Sequence, residues 1–340
     1  TELLRGKRVG TFIGSMGSTP SAADMSHHSM LGTETSVLAG RVAHFFDFSG
    51  PAVVVNTACS SSLVAVDMAF NKLLQGQIDL ALAGGITIYT HPSAFVSMQR
   101  ANMLSKSGAC RPFDNAADGI LVGDGAGIVM LKRLQDALAD KDDIYSVIRA
   151  SGTNHDGRAS AITTPSFLAQ SALIQEVYRS ANIKADNIQY IEAHGTGTKL
   201  GDPVEIHALT DAYQQFTQRK QFCAIGSLKA NLGHTSAASG VLSLIKVSLA
   251  LQHKIIPASA NFNVENQHID FKNSPVYVNN SVRDWPLNEE HSRLAAISSF
   301  GFSGTNVHLV VEQAKQNDDG AIRARGPVVL SAQTLPELRL

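Results

Sequence analysis

The chain has 340 residues, 44% of them hydrophobic and 17% charged, with 27 glycines, one tryptophan (Trp285) and a formal net charge of −1. That is enough apolar chain for one large or two moderate globular units with an aliphatic core, and it excludes a disordered or fibrous protein. A charge balance near zero, with no basic run interleaved with aromatics, offers no field for a phosphate backbone and speaks against nucleic acid as a partner.

Cys59, Cys110 and Cys223 are too few and too scattered for a disulfide framework, and they lack the CxxC spacing of a zinc site. The most lipid-like stretch, Thr235 to Leu251, is interrupted by Lys246, crowded with Ser and Gly, and short for a bilayer crossing; it reads as a buried helix. The opening TELLRGKRVG carries charges where a signal peptide needs an apolar region, so a cytoplasmic setting or an internal start is expected.

Short apolar runs alternate with segments of helical period, the pattern of an α/β fold. The runs Val9 to Ile13, Ala52 to Val55, Ile78 to Ala83, Ile188 to Ile191 and Phe222 to Ile225 are continuous rather than alternating, as expected of strands covered on both faces. After Cys59 a helix is expected, with Asp67, Asn71 and Gln75 forming one polar stripe and Gly76 stopping it. A second strand-to-helix unit, from Phe222 to Ile225 into a small-residue helix near Thr235, implies two related halves. One domain is expected over residues 1–312. From Gln313 onward QAKQNDDGAIRARGP reads as a linker, and VVLSAQTLPELRL as the start of a following element.

Four segments carry chemistry. In VVVNTACSSSLVAV a buried strand passes through a polar turn into a helix, with Cys59 at the join. Unpaired N–H groups and the helix dipole there favour a thiolate, and the elbow resembles other nucleophile turns. A small buried hydrophobe is the competing reading, and this motif alone does not decide between them. YIEAHGTGTKLGDPVE repeats the strand, turn and helix with His194 at the tip; its glycines do not complete a dinucleotide fingerprint, and a histidine in a turn is commonly only a hydrogen-bonded group. SLKANLGHTSAASG places Lys229 and His234 at the mouth of the small-residue helix, although Lys229 equally fits a surface lysine. SSFGFSGTNVH is a glycine-punctuated turn able to present a backbone N–H to a ligand. A sheet of these strands would bring Cys59 and both histidines to one edge.

TACSSS, EAHGTGT, KANLGH and GFSGTN, in this order, closely resemble the β-ketoacyl synthase domains of polyketide and fatty-acid synthases, of the thiolase-like superfamily. The resemblance runs from about Gly6 to about Glu312, and FDFSGPAVVVNTACSSS, RPFDNAADG and NHDG are similar to the modular polyketide branch. VLSAQT is similar to the linker opening after such domains. The family's usual opening segment is missing before Thr1; Asp124 stands where glutamate is usual, and Ser303 where many relatives have glycine.

The resemblance implies a duplicated αβαβα layered fold, lacking the N-terminal part of its first half. It implies Cys59 as the acyl-carrying nucleophile, His194 and His234 as neutral donors to an enolate, and Lys229 as an orienting residue. It further implies an oxyanion hole of the Cys59 and Phe302 backbone N–H groups, and Thr196 and Thr198 holding a pantetheine arm. The implied reaction is decarboxylative condensation with a malonyl-type extender. Implied partners are acyl carrier protein domains, a second copy of the chain, and an acyltransferase as neighbouring domain or separate protein. No metal is expected, and no cofactor beyond the phosphopantetheine carried by the partner. A non-elongating acyl-transfer or gatekeeping domain, a fatty-acid-type condensing enzyme, and a cysteine hydrolase are the alternatives.

Overall fold

The computed structural model describes residue 4, residues 6–16 and residues 29–314. The expected linker and following element at 315–340, including VLSAQT, lie outside the described residues.

In chain order the elements are β1 (Val9–Ser15), α1 (Ser29–Thr33), α2 (Thr35–Phe46), β2 (Ala52–Val55), α3 (Ser61–Leu74), β3 (Leu80–Thr87), α4 (Ser93–Arg100) and β4 (Gly125–Lys132). There follow α5 (Leu134–Ala139), β5 (Ser146–His155), α6 (Phe167–Ser180), β6 (Ile188–Glu192), α7 (Gly201–Gln214), β7 (Cys223–Gly226), α8 (Lys229–Leu232) and α9 (Ser239–His253). The last are β8 (Ile255–Ile256), β9 (Val276–Val278), β10 (Arg283–Asp284), β11 (Leu294–Phe300) and β12 (Thr305–Gln313).

Two mixed sheets form the frame, one in the order β2-β1-β3-β4 and one in the order β5-β12-β11-β6-β7-β9. Parallel pairing joins β2, β1 and β3, and likewise β11, β6, β7 and β9, while β4, β12 and β5 add antiparallel edges. Helices α3 and α9 touch each other and strands of both sheets, so they fill the space between them. Their apolar faces, with Leu63, Val66, Leu244 and Val247, build one core with Phe12, Ile78 and Ile297. A second core lies where α6 and α7 cover the larger sheet, around Leu173, Ile174, Tyr178, Leu209 and Tyr213. Helix α2 packs on β1 and β2.

The five expected strands all form, within a few residues at their ends. One differs in environment: β2 is the edge of its sheet, Ala52 is exposed, Val53 and Val54 are half-buried, and only Val55 is buried. The continuous apolar run here belongs to a strand whose lateral edge is unpaired among the described residues, although α2 and α3 both pack against it. The polar stripe of α3 is exposed at Asn71 and Gln75 but turns inward at Asp67, which is buried and accepts a hydrogen bond from Ser151 Oγ at 2.6 Å, while Leu74 is exposed.

The two strand-to-helix units correspond closely. A 3₁₀ turn, Ala58–Ser60, precedes α3, and another, Ser236–Ala238, precedes α9. Each opens on a non-glycine residue with left-handed backbone, Ala58 at φ 57° and Ser236 at φ 40°. Where the helices cross, a Cβ on Gly240 would meet Leu63 Cβ at 2.8 Å, so only glycine permits the approach.

Candidate active site

The turn after β2 is built from short side chains that satisfy backbone groups. Ser60 Oγ donates to the Thr57 carbonyl at 2.8 Å, Ser61 Oγ donates to the Ala58 carbonyl at 2.6 Å, and Ser62 Oγ accepts the Val241 N–H at 3.0 Å. All three serines are buried, so the triplet packs this junction rather than decorating it. Cys59 sits inside the 3₁₀ turn, one residue short of the first residue before α3. Its carbonyl accepts from Ser239 Oγ at 3.1 Å and Ser299 Oγ at 2.9 Å, which ties the turn to α9 and β11.

The thiol is half-buried, whereas Cys110 and Cys223 are fully buried. Burial raises the Cys59 pKa; the Lys229 charge lowers it, and so do the backbone N–H groups of Phe302 and of Cys59 itself, both aimed at the sulfur. The net direction is upward: desolvation exceeds the Lys229 charge and the N–H groups that favour the thiolate.

His194 follows β6 in a turn whose N–H groups are all directed inward. Glu205 accepts the N–H of His194 and that of Gly195, each at 2.7 Å, and Asp202 accepts those of Thr196 and Gly197, each at 3.1 Å. Gly195 and Gly197 have φ of 35° and 70°, which bends the chain around these carboxylates. Because the carboxylates occupy the N–H groups of residues 194–197, these are not left to cradle a dinucleotide phosphate. Burial pushes Glu205 up to about 7 and Asp202 up to about 6.

His234 lies between α8 and α9, and its ring centroid is 5.6 Å from that of His194. Burial, followed by the Lys229 charge, holds His234 down at about 3; the same two causes in the same order, with His234 third, hold His194 well below the ordinary histidine value. Both rings are neutral at physiological pH. Nδ1 of His234 accepts the Ser236 N–H at 3.0 Å, so its proton resides on Nε2. Nδ1 of His194 is buried and has no hydrogen-bond partner among the described residues.

Lys229 is buried in α8 rather than at the surface, and its Nζ donates to the His194 carbonyl at 2.5 Å. Its pKa is lowered by burial, against which Glu205 and then Glu192 act. Phe302 is half exposed, in the turn between β11 and β12, and Phe300 stacks obliquely 5.7 Å from His194. Thr196 and Thr198 face each other with hydroxyls 2.9 Å apart, and Thr198 Oγ1 accepts the Gly201 N–H at 3.1 Å. The fold thus brings Cys59, His194, His234, Lys229 and the Phe302 N–H to one place, with the threonine pair in the turn just beyond His194. Among the described residues no group of three or more His, Cys, Asp or Glu side chains is placed to hold a metal, and no helix is long and apolar enough to cross a membrane.

Several supporting residues are not singled out by sequence reasoning. Glu205 and Asp202 stand in GDPVE, and two carboxylates near the start of a helix with so many apolar positions are the available signal. Glu192 is fully buried and accepts from Lys246 Nζ at 2.6 Å, Tyr190 hydroxyl at 2.8 Å and the Leu228 N–H at 2.6 Å. In the sequence Lys246 is only an interruption of an apolar helix; a lysine there calls for a buried anion.

Comparison with known proteins accords with this geometry. Residues 1–137 match the N-terminal domain of β-ketoacyl synthases, residues 145–263 their C-terminal domain, and residues 266–336 the ketoacyl-synthetase C-terminal extension. The polyketide synthase PksL of Bacillus subtilis is 43% identical over 342 residues, which is 99% of this chain and 8% of that protein. The polyketide synthase ThaG of Burkholderia thailandensis is 43% identical over 319 residues, 94% of this chain and 6% of that protein. Among solved structures, the ketosynthase from module 6 of the bacillaene synthase of Bacillus subtilis superposes with a TM-score of 0.86 at 43% identity, over 92% of this chain and 56% of that one. The oxazolomycin ketosynthase domain of Streptomyces albus gives 0.86 at 34% identity, over 93% and 57%. The chain therefore spans less than a tenth of these two synthases and just over half of the ketosynthase structures. The matches across residues 1–336 place the chain in the β-ketoacyl synthase family of acyltransferase-type enzymes, in the branch of modular polyketide synthases.

Proposed function

We propose that the chain condenses a Cys59-bound acyl group with a malonyl-type extender during polyketide biosynthesis. The observation that carries this reading is the pair of neutral, adjacent imidazoles, His194 and His234, next to a half-buried thiol at which two backbone N–H groups are aimed. A hydrolase would need a base to activate water. Two imidazoles held neutral by Lys229 and burial, one with its Nε2 proton fixed, suit hydrogen-bond donation to a developing oxyanion.

In the first half-reaction Cys59 sulfur attacks the thioester carbonyl of an acyl chain carried on phosphopantetheine. The new carbon–sulfur bond forms as the old one breaks, and the released pantetheine thiol takes the proton. The Cys59 and Phe302 N–H groups stabilise the tetrahedral oxyanion, at about 3 kcal/mol for each donor. In the second, the extender's carboxylate leaves as carbon dioxide and its bonding pair becomes an enolate, whose oxygen accepts from Nε2 of His194 and His234. The enolate carbon attacks the acyl-Cys59 carbonyl, and the Cys59 sulfur leaves. Lys229 orients His194 through its carbonyl. Thr196 and Thr198 hydrogen-bond the pantetheine arm, which enters with an acyl carrier protein; no cofactor resides on this domain.

The layer order, with α3 and α9 between two sheets and further helices outside, supports a thiolase-like duplicated αβαβα fold. The open edge of β2 supports a two-fold dimer paired along that strand. Light scattering on active protein is expected to give twice the chain mass, and the monomer mass would contradict the pairing. An acyltransferase, as neighbouring domain or separate protein, supplies the extender in the cytoplasm.

Intact-mass measurement after incubation with a panel of acyl-pantetheine thioesters tests the reading. Acylation confined to Cys59 and stable to water for minutes is expected. Rapid turnover to free acid would favour the hydrolase.

A further inference from the structure

We infer that Tyr89 is a positioning residue for the condensation step, acting through Ser236 on His234; this rests on the reading of His234 as an enolate donor. The Tyr89 hydroxyl lies 2.6 Å from Ser236 Oγ, and the Ser236 N–H is the group that fixes the His234 tautomer by donating to Nδ1 at 3.0 Å. Ser236 also adopts a left-handed backbone, φ 40°, which a non-glycine residue does not adopt without cost. Ser236 is itself buried, so its hydroxyl needs a protein partner, and Tyr89 is that partner.

Tyr89 is held in turn. Its N–H donates to Asp124 Oδ1 at 2.8 Å, and its ring meets Phe95 edge-on with centroids 5.4 Å apart. The segment carrying Asp124 also grips His234 directly, since the His234 N–H donates to the Leu121 carbonyl at 2.5 Å and the Gly123 N–H to the His234 carbonyl at 3.2 Å. Residues 121–124 thus set His234 by its backbone and, through Tyr89 and Ser236, by its ring. Burial is the main cause raising the Tyr89 pKa, so the phenol keeps its proton. Asp124 thus anchors the Tyr89 backbone.

The test uses the full-length protein with Tyr89→Phe, Ser236→Ala, the double variant and His234→Ala, and follows Cys59 loading and β-ketoacyl product separately by mass. Tyr89→Phe is expected to load at the wild-type rate and to condense about fivefold more slowly, the effect of one lost hydrogen bond. Ser236→Ala should behave alike, and the double variant should be no slower than the slower single. Equal slowing of both half-reactions, additive losses in the double variant, or a wild-type condensation rate in Tyr89→Phe beside an impaired His234→Ala would overturn the inference. A wild-type condensation rate in His234→Ala would instead overturn the reading of His234 on which it rests.

Discussion

Glu205 accepts the backbone N–H of His194 at 2.7 Å, while Lys229 donates to the carbonyl of the same residue at 2.5 Å. The histidine peptide is thus held on both sides by buried polar side chains. Glu205→Ala should strand the N–H groups of His194 and Gly195 and leave Lys229 less balanced. A loss of about 3 kcal/mol in unfolding free energy is expected from denaturant titration, as for other broken buried ionic contacts. A variant as stable as the wild type would show that the clamp contributes nothing.

Cys59 is the half-buried thiol, and Cys110 and Cys223 are fully enclosed, with burial driving Cys110 to about 11 and Cys223 higher still. A limiting alkylating agent should therefore modify Cys59 first, and faster as the pH rises, because its own pKa is raised. Peptide mapping reads the order. Labelling that begins at either other cysteine would remove Cys59 from its role.

His308 is buried between Ser298 Oγ, 2.9 Å from Nδ1, and the Tyr178 hydroxyl, 3.3 Å from Nε2; burial lowers its pKa to about 3 from an ordinary 6.5. The folded value lies below the unfolded one, so its contribution is present above about pH 6.5 and is lost as the pH falls. Between pH 7.5 and pH 5 this one group should cost about 2 kcal/mol. Unfolding curves at both values should show His308→Gln losing less stability on acidification than the wild type. The comparison cancels the opposite trend of Glu205 and Asp202, whose raised values favour the folded state as the pH falls. Parallel pH dependences in the two proteins would refute the assignment.

The parts of this molecule that are readable in the sequence are local ones. A strand, a polar turn and a helix start are contiguous, so the turns bearing Cys59, His194 and His234 are evident from the order of residues alone, and the small residues around them already imply close packing. What escapes is set by distant partners. Glu192 meets Lys246 across 54 positions and Tyr89 meets Ser236 across 147, and neither spacing leaves a periodic trace. The groups that set the Cys59 pKa are hidden for the same reason, since Lys229 and Phe302 lie far along the chain. The position of β2 at a sheet edge depends on strand order, which apolar content does not encode.

The central claim is that Cys59 carries the acyl chain while His194 and His234 serve only the enolate, and the two half-reactions separate these roles. Loading is read from the mass of the protein and condensation from the mass of the β-ketoacyl carrier product, in parallel on one preparation. Alanine at either histidine should leave loading near the wild-type rate and slow condensation roughly a hundredfold or more, the effect of a lost catalytic donor, and Cys59→Ala should abolish both. Product formed by the Cys59 variant, or wild-type condensation in both histidine variants, would contradict the account.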